Sequence, residues 1–426
     1  MLDIKLFREN PGVVEENLRK RGMDTSPVKE IIALDEMWRK KLFRLDSLRK
    51  ERNELSQKVA KGKKSLLGRA KELKVEIEKL EREVPELKEK RDRLLMRMPN
   101  ILHPEVPKGK DDSENVPVRY WGKPMVKKGT SWDYPVEPRW VNFDPLDHID
   151  LLVPRYADIE RAAKVSGARF YYLKGKLVEL ESALLRFALD YLKKKGFTIV
   201  EPPFMIRERA MRGVTDFTAF EDTLYRVEGE DLYMIATAEH PLASLHMDEI
   251  LDGARLPLKY AGISPCFRKE AGSHGRDTKG IFRVHQFNKV EQFIFCKPEE
   301  SWELHEKITR NIEEIFRKLE IPHRVVEICT GDIGYVAARK YDLEAWLPGQ
   351  GKFREMGSSS NCTDWQSRGL NIRYRSGGDK QFVHTLNNTA IATPRAAIAV
   401  VENFQQEDGS IKIPKVLHKY LDFKEM

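Results

Sequence analysis

The sequence predicts an α+β protein in which an antiparallel coiled-coil hairpin precedes a domain with a largely antiparallel sheet. Two observations support this. Between residues 27 and 100 the apolar residues repeat every three to four positions, and the repeat is interrupted once, by a stretch with two glycines. From about residue 132 short strand patterns mix irregularly with helical ones, which is typical of antiparallel rather than doubly wound parallel sheets. The 426 residues suffice for two or three domains.

The predicted hairpin contains two long helices whose apolar residues have the spacing of a heptad seam. The seam residues are Ile31, Leu34, Trp38, Leu45, Leu48, Leu55 and Val59, then Leu73, Ile77, Leu80, Val84, Leu87, Leu94 and Met98. Residues 61–68 break the repeat with two glycines, which predicts a turn. We therefore expect a helical arm over 1–103 with its coiled coil over about 27–100, a linker over 104–131 and a second domain over 132–426.

The net charge of +8 is concentrated in this arm, because residues 27–100 contain 22 Lys and Arg against 14 Asp and Glu. The basic residues around the predicted turn are Lys58, Lys61, Lys63, Lys64, Arg69, Lys71 and Lys74. A projecting basic element attracts phosphates, which favours a nucleic acid as partner. No aromatic residue lies near the tip, so contacts to the nucleic-acid backbone are favoured over base stacking. The alternative is an ordinary solvated helix surface.

Several features are missing from the sequence. No apolar run approaches the ~20 residues of a membrane helix, and the first ten residues contain no apolar core of a secretory signal. The four cysteines are about thirty residues apart without a CxxC pair, so we expect reduced thiols and no zinc site. Neither GxGxxG nor GxxxxGK[ST] occurs, which excludes the usual dinucleotide and P-loop cradles. A cytoplasmic protein is expected.

The second domain shows both helical and strand patterns. Helices are expected over 176–195 and 298–319 and from about Pro394, where Thr393 has the character of an N-cap. The expected strands are 197–200, 256–270, 281–295, 353–358 and 382–387.

Polar residues concentrate on the expected strand faces. Alternation places Arg268 with Glu270 on one strand. On the next strand it aligns Arg283, His285, Phe287, Lys289 and Glu291. The basic, glycine-rich loop 271–280 between these strands is suited to a polyphosphate. A solvated sheet face is the alternative.

Two features further along the chain suit charged ligands. Glu355 is followed by hydroxyl residues, a combination that suits a hard cation. Arg395 falls in the first turn of a predicted helix, where a phosphate is favoured. Taken alone, Arg395 is explained as an ordinary surface arginine. The combination of an arginine with the backbone N–H groups of a helix N-terminus favours a phosphate site.

Taken together, these motifs resemble those of the seryl-tRNA synthetases, a family of class II aminoacyl-tRNA synthetases. The motifs are Thr237-Ala-Glu239, Phe267-Arg-Lys-Glu270 with Gly275-Arg-Asp-Thr278, His285-Gln-Phe-Asn-Lys-Val-Glu291, Tyr341-Asp-Leu-Glu344 with Trp346-Leu-Pro-Gly349, Glu355 to Asn361, and Phe382-Val-His-Thr-Leu-Asn387. The resemblance covers the whole chain, since a basic hairpin precedes the catalytic domain in this family as well.

The resemblance implies a class II catalytic domain with an antiparallel sheet flanked by helices. It implies a homodimer whose interface includes the helix over 176–195 and the strand after it, and an arm that reaches across the dimer to tRNA(Ser). The implied reaction joins L-serine and ATP into seryl-adenylate and pyrophosphate. The seryl group then passes to tRNA(Ser), or to tRNA(Sec) where present. Mg²⁺ is the expected cofactor, and zinc is not expected.

The resemblance also implies residue roles. The catalytic residues would be Arg268, Glu270 and Arg395. The ATP-binding residues would be Arg268, Lys269, Glu270, Arg283, Val284, Phe287, Glu355, Met356, Gly357, Ser358 and Arg395. The serine-binding residues would be Thr237, Ala238, Glu239, Arg268, Glu291 and Thr389. Glu355 and Ser358 would hold Mg²⁺, although strict alternation separates their side chains, so this assignment requires a bulge or a twisted strand end.

Some positions depart from the common bacterial pattern of the family and look closer to archaeal members. Gly357 replaces a serine, Thr389 stands where serine is usual, and residues 388–394 lack the expected glycines. His240 follows the Thr-Ala-Glu triplet.

The alternative function is a synthetase-like binding protein without aminoacylation activity. Such a protein would be marked by loss of the motif arginines or of the serine-binding glutamate, whereas Arg268, Arg395 and Glu291 are all present.

Overall fold

A computed structural model describes residues 1–60, 67–270 and 280–426 of the chain. The chain divides into two compact units, Met1–Ile101 and Leu102–Met426, and each has its own apolar core. Lys61, Lys63, Lys64 and residues 271–279 lie outside the described residues. Within the described ranges, no helix is both long and apolar enough to cross a membrane.

The described residues of the first unit form four helices, α1 (Ile4–Glu9), α2 (Pro11–Lys20), α3 (Ser26–Ala60) and α4 (Leu67–Met96). The helices α3 and α4 run antiparallel, since Lys41 of α3 pairs with Glu83, whereas Glu51 further along α3 pairs with Arg69 near the start of α4. Their seam buries Leu45, Leu48, Leu73, Ile77, Leu80 and Val84. The predicted coiled-coil hairpin is confirmed.

A buried charge network stabilises the end of the hairpin that is remote from the turn. Arg91 of α4 lies 2.8 Å from the carboxylate of Asp35 in α3, and Arg8 of α1 lies 2.7 Å from the same carboxylate. Burial raises the pKa of Asp35, but the hydrogen bonds from Arg8 and Arg91 outweigh it and lower the pKa below its usual value. Three helices are therefore held together by one carboxylate.

The second unit contains the remaining elements. In chain order they are β1 (Val116–Trp121), β2 (Met125–Lys127), β3 (Arg139–Val141), α5 (His148–Leu152), β4 (Ala157–Asp158), α6 (Ile159–Ser166), β5 (Tyr172–Leu173), α7 (Lys176–Lys194), β6 (Thr198–Val200), β7 (Met205–Ile206), α8 (Glu208–Val214), α9 (Phe217–Phe220), β8 (Tyr233–Met234), α10 (Glu239–Ser244), β9 (Ile250–Asp252), β10 (Leu258–Phe267), β11 (Gln286–Cys296), α11 (Ser301–Lys318), β12 (His323–Glu327), β13 (Arg339–Leu347), β14 (Lys352–Asn361), α12 (Trp365–Leu370), β15 (Arg373–Ser376), β16 (Asp379–Phe382), β17 (His384–Ala392) and α13 (Arg395–Phe404).

Eight strands form the main sheet of this unit in the order β1-β12-β13-β14-β17-β11-β10-β6. All neighbouring strands are antiparallel except β10 and β6, which are parallel. Apolar clusters cover both faces, because the adjacent residues Phe293 and Ile294 of β11 belong to different clusters. The helices α7, α11 and α13 contribute to one cluster, and α8, α10 and α12 to the other. The predicted antiparallel sheet flanked by helices is confirmed.

Three local features differ from the sequence-based expectation. The expected linker over 104–131 contains β1, which pairs with β12 and forms an edge of the main sheet. The strand expected from residue 281 begins only at Gln286. The hydroxyl of Thr393 does not cap α13, because it is hydrogen-bonded to Glu181 and to the carbonyl of Asn288, 3.0 Å away. In all three cases contacts to residues distant in sequence decide the local structure.

Candidate active site

A cavity of about 520 Å³ is lined by residues of β11, β13, β14 and β17 and of the N-termini of α10 and α13. The predicted site residues that line it are Thr237, Glu239, Arg268, Glu270, Arg283, Val284, Phe287, Glu291, Glu355, Met356, Gly357, Ser358, Thr389 and Arg395. Two predicted residues do not line it. Lys269 is exposed, with its Nζ 5.8 Å from the ring of Tyr225, and Ala238 is buried in the apolar cluster that includes α10.

A β-bulge places Glu355 and Ser358 on the same face of β14. In a regular strand, side chains three residues apart point to opposite faces. The pairing with β13 shifts register at Met356, which is the extra residue of the bulge. The partners of Glu355 and Ser358 are Glu344 and Asp342, which are two residues apart and therefore share a face. The bulge that the predicted metal site required is present.

Several charges surround the carboxylate of Glu355. Nη1 of Arg395 lies 3.3 Å from its Oε2 and donates to its backbone carbonyl at 3.1 Å. Burial raises the pKa of Glu355, but the positive charges of Arg395 and Lys340 outweigh it and lower the pKa to about 2. Burial raises the pKa of neighbouring Asp342 to about 7, because Lys340 offsets only part of the effect. Glu355 is thus ionised, although 44% of its side chain remains exposed.

The oxygen atoms at this end of the cavity fit a magnesium ion. Mg²⁺ prefers oxygen ligands, and it typically takes one or two from the protein and the others from phosphates and water. The carboxylate of Glu355 and the hydroxyl of Ser358 are donors of this kind. Among the described residues there is no group of three His, Cys, Asp or Glu side chains that would hold a metal without a bound substrate.

Arg268 and Phe287 form the middle of the cavity. The guanidinium of Arg268 lies 5.1 Å from the centre of the Phe287 ring, and its Nε donates to the carbonyl of Ala236 at 3.2 Å. The expected alternation of Arg268 with Glu270 along one strand is wrong, because β10 ends at Phe267 and Glu270 has a left-handed backbone with φ of 50°. Both side chains nevertheless line the cavity.

Arg283 lies outside β11, so its expected alignment with Phe287 is wrong as well. Its Nη1 instead donates to Oε2 of Glu270 at 2.9 Å. This ion pair connects the segment before residues 271–279 with the segment after them.

Glu291 is a deeply buried carboxylate in another part of the cavity wall. It is 1% exposed and forms an ion pair with Lys289. The register between β11 and β17 shifts at Ala390, so Glu291 pairs directly with Thr389. The hydroxyl of Thr389 lies 3.4 Å from Oε2 of Glu291 and 3.4 Å from Nζ of Lys289. A carboxylate, a hydroxyl and an ammonium group therefore meet at one point.

Two further titratable groups line this part of the cavity. Burial and the nearby charge of Glu291 raise the pKa of Glu239 to about 7, and Gln366 donates to its Oε1 at 2.8 Å. Burial together with the charges of Lys289 and Arg268 lowers the pKa of His240 to about 3, so its imidazole is neutral. Within the described residues, the Nδ1 atom of His240 has no hydrogen-bond partner.

The chain is similar to known proteins over its whole length. A family model described as the seryl-tRNA synthetase N-terminal domain matches residues 1–102, and one described as the tRNA synthetase class II core domain (G, H, P, S and T) matches residues 220–404. The serine–tRNA ligase of Thermococcus onnurineus is 58% identical over 100% of this chain and 97% of the relative. The chain belongs to the seryl-tRNA synthetase family. The predicted resemblance to archaeal members is confirmed.

Two solved seryl-tRNA synthetases have the same fold. The crystal structure of the Pyrococcus horikoshii enzyme complexed with ATP has a TM-score of 0.93 and 56% identity, covering 100% of this chain and 99% of that chain. The Naegleria fowleri cytoplasmic enzyme in complex with AMP has a TM-score of 0.87 and 38% identity, covering 100% and 98%.

Sequence reasoning does not select several residues of this seryl-tRNA synthetase site. Lys289 stands on the predicted polar face of β11, a signal that could have selected it, and His240 directly follows a predicted serine-binding residue. Gln366 is brought to Glu239 from 127 residues away, and no local pattern marks it. The same holds for Lys340, whereas Asp342 belongs to the Tyr341–Glu344 motif but receives no role there; strand pairing brings both near Glu355.

The described basic residues of the arm are exposed. Within the described part of the arm, Lys58, Lys71 and Lys74 form no close ion pair except for a contact of 3.8 Å between Lys74 and Glu78. Arg69 is partly neutralised by Glu51 at 3.0 Å and Glu72 at 3.2 Å. A surface of exposed lysines of this kind is compatible with a phosphate backbone as ligand.

Proposed function

We propose that this protein is a serine–tRNA ligase. It activates L-serine with ATP to form seryl-adenylate and pyrophosphate, and it transfers the seryl group to tRNA(Ser), and to tRNA(Sec) where that tRNA is present. The observation that carries the proposal is that one cavity combines a phosphate-binding end, with Arg268, Arg395 and Glu355, and a hydroxyl-binding end, with Glu291 and Thr389. A binding protein without aminoacylation activity is not favoured, because the residues whose loss would mark it line the cavity.

The proposed chemistry requires positioning and charge stabilisation rather than a nucleophilic side chain. Both steps are attacks by oxygen atoms of the substrates themselves, first the serine carboxylate and then a terminal tRNA hydroxyl. In such reactions fixed cations near the developing charge provide much of the rate enhancement. Arg268 binds the α-phosphate and the serine carboxylate, and Arg395 binds the γ-phosphate.

The nucleotide base and the metal ion occupy the remaining positions. Phe287 stacks on adenine and Glu270 accepts a hydrogen bond from its amino group, while Arg283, Val284 and Met356 complete the ATP site. Glu355 and Ser358 would hold a bound Mg²⁺, whose charge would offset that of the phosphates. Supporting this assignment, the pKa of Glu355 is about 2, so the residue supplies a carboxylate and not a carboxylic acid at neutral pH.

Serine is bound by its ammonium and its hydroxyl group. Glu239 and Glu291 bind the ammonium group, because two neighbouring carboxylates attract a cation. The positive charge of the bound ammonium offsets the effect of burial on the pKa of Glu239 and favours its ionised form. Glu291 and Thr389 bind the hydroxyl, and Thr237 supports Glu239, whose backbone N–H donates to the Thr237 hydroxyl at 3.1 Å. Bound alanine, which lacks a hydroxyl, would leave the buried polar groups of Glu291 and Thr389 unpaired, and this discriminates against alanine as a substrate by about 10⁴ or more. Threonine as a substrate is rejected because of its extra methyl group.

The protein acts as a homodimer in the cytoplasm and binds tRNA(Ser) through the arm. The strand β6 supports the dimer, because it ends the order of the main sheet and pairs only with β10 among the described strands. Ile199 on this strand and Val178 on α7 are exposed apolar residues, at 43% and 42%. An open sheet edge beside exposed apolar side chains is a suitable self-association surface. The basic residues of the arm, from Lys58 to Lys74, support the tRNA assignment.

Amino-acid-dependent exchange between ATP and labelled pyrophosphate tests the activation step. We expect exchange with serine and less than about 1% of that rate with alanine or threonine, because only serine satisfies the pair formed by Glu291 and Thr389 without a steric conflict. A reaction without amino acid is the control. Exchange with threonine but not with serine would contradict the proposed function.

A further inference from the structure

We propose that Gly357 is a positioning residue that acts through Thr389 and thereby sets the geometry of serine recognition. The inference rests on the proposed function, because it takes Thr389 to be a contact of the serine hydroxyl. It concerns two positions at which the chain departs from the common bacterial pattern, and it explains them as one coupled feature.

Gly357 is adjacent to the side chain of Thr389. A Cβ atom added at position 357 would lie 2.7 Å from Cβ of Thr389, 3.0 Å from its Cγ2 and 3.1 Å from Cδ1 of Ile312. Contacts this close require a shift of the neighbouring atoms. Gly357 is not one of the glycines with a positive φ, so backbone conformation does not require a glycine here. The reason for a glycine at this position is space.

The space left by Gly357 is occupied by the branched end of Thr389. Thr389 is buried, its hydroxyl is directed toward Glu291 and Lys289 at 3.4 Å each, and its methyl group lies on the side of Gly357. In a β-branched residue one χ1 angle sets both branches, so placing the methyl group also fixes the hydroxyl. A serine at position 389 would lack this restraint.

The two departures therefore compensate each other. Gly357 has no side chain, and the methyl group of Thr389 lies in the space beside it. The result is a hydroxyl group that is oriented before serine binds, next to the carboxylate of Glu291. Preorganisation of this kind increases affinity for the group that is recognised, here the serine hydroxyl, and does not change the binding of ATP at the other end of the cavity.

Pyrophosphate exchange by four variants tests the inference. We expect Gly357→Ala to raise the KM for serine about tenfold or more, because the added methyl group displaces the Thr389 hydroxyl from a charged partner. Thr389→Val, which keeps the shape of threonine but lacks the hydroxyl, should give a similar increase. The KM for ATP should stay within about twofold in both variants, a split that general disruption of the cavity would not produce.

The double variant tests the coupling. Thr389→Ser alone should raise the KM for serine severalfold, but in the Gly357→Ala background the same change should lower it in part, because serine removes the contact to Cγ2 at 3.0 Å while the contact to Cβ at 2.7 Å remains. If Gly357→Ala alone does not fold, restored folding in the double variant, measured by thermal melting, supports the inference.

Four results would overturn the proposal: a KM for serine that Gly357→Ala leaves within twofold, equal increases of both KM values, additive effects in the double variant, or a double variant that does not fold. A wild-type protein without serine-dependent exchange would instead refute the proposed function, so the two failures are distinguishable.

Discussion

Replacement of Glu291 by alanine is expected to abolish serine-dependent pyrophosphate exchange, with a loss of about 10³-fold or more. Glu291 is 1% exposed, and it is placed to bind both the ammonium and the hydroxyl group of serine. Its removal also leaves the ammonium group of Lys289 buried without its partner carboxylate, which weakens the same end of the cavity.

The control for this prediction separates loss of recognition from loss of folding. Glu291→Gln keeps the volume and one hydrogen-bond acceptor but removes the charge, so it should fold, bind ATP normally and still show a KM for serine at least about tenfold above that of the wild type. ATP binding should be measured directly in both variants. Near-normal exchange by Glu291→Ala would refute the assignment of the serine site.

Deletion of residues 27–100 is expected to spare adenylate formation and to reduce tRNA charging by about a hundredfold or more. These residues carry the whole excess of positive charge, and the rest of the chain is neutral. The cavity lies entirely in the second unit, which has its own cores, so exchange kinetics should be unchanged.

A shorter deletion makes this test sharper. Removing residues 42–82 and closing the gap with a short glycine-serine turn would keep the ion pair of Lys41 with Glu83 and the buried network around Asp35. A matched control replaces Lys71 and Lys74 by glutamate in the full-length chain, which should weaken charging in a salt-dependent manner. Intact charging by the deletion variants would contradict the division between a tRNA-binding arm and a catalytic domain.

The elements with strong local patterns could be predicted from the sequence. The heptad spacing identified the hairpin seam from Leu45 to Val84, since coiled-coil packing depends on a short repeat. The strands β10 and β11 and the antiparallel sheet also follow from local patterns, although the predicted polar alternation fails beyond Phe267 and before Gln286. The need for a bulge was predictable as well. The expected shared role of Glu355 and Ser358 in holding Mg²⁺ requires both side chains on one face, whereas regular alternation places residues three apart on opposite faces.

The features that depend on distant contacts could not be predicted in this way. The strand β1 lies in a proline-rich segment without periodicity, and pairing with β12 determines its conformation. Gln366 and Lys340 acquire their neighbours only through the tertiary fold. The contact of Gly357 with Thr389 joins two strands, so the sequence alone shows two unrelated departures where the structure shows one packing arrangement.

Charging of total tRNA by the full-length protein tests the central claim most directly. The protein should be incubated with ATP, Mg²⁺ and labelled serine, threonine or alanine in parallel, and acid-precipitable label should be counted. We expect serine to be attached to tRNA, and threonine and alanine to remain at the level of a reaction without enzyme. Charging by threonine alone, or no charging by serine despite normal pyrophosphate exchange, would contradict this claim.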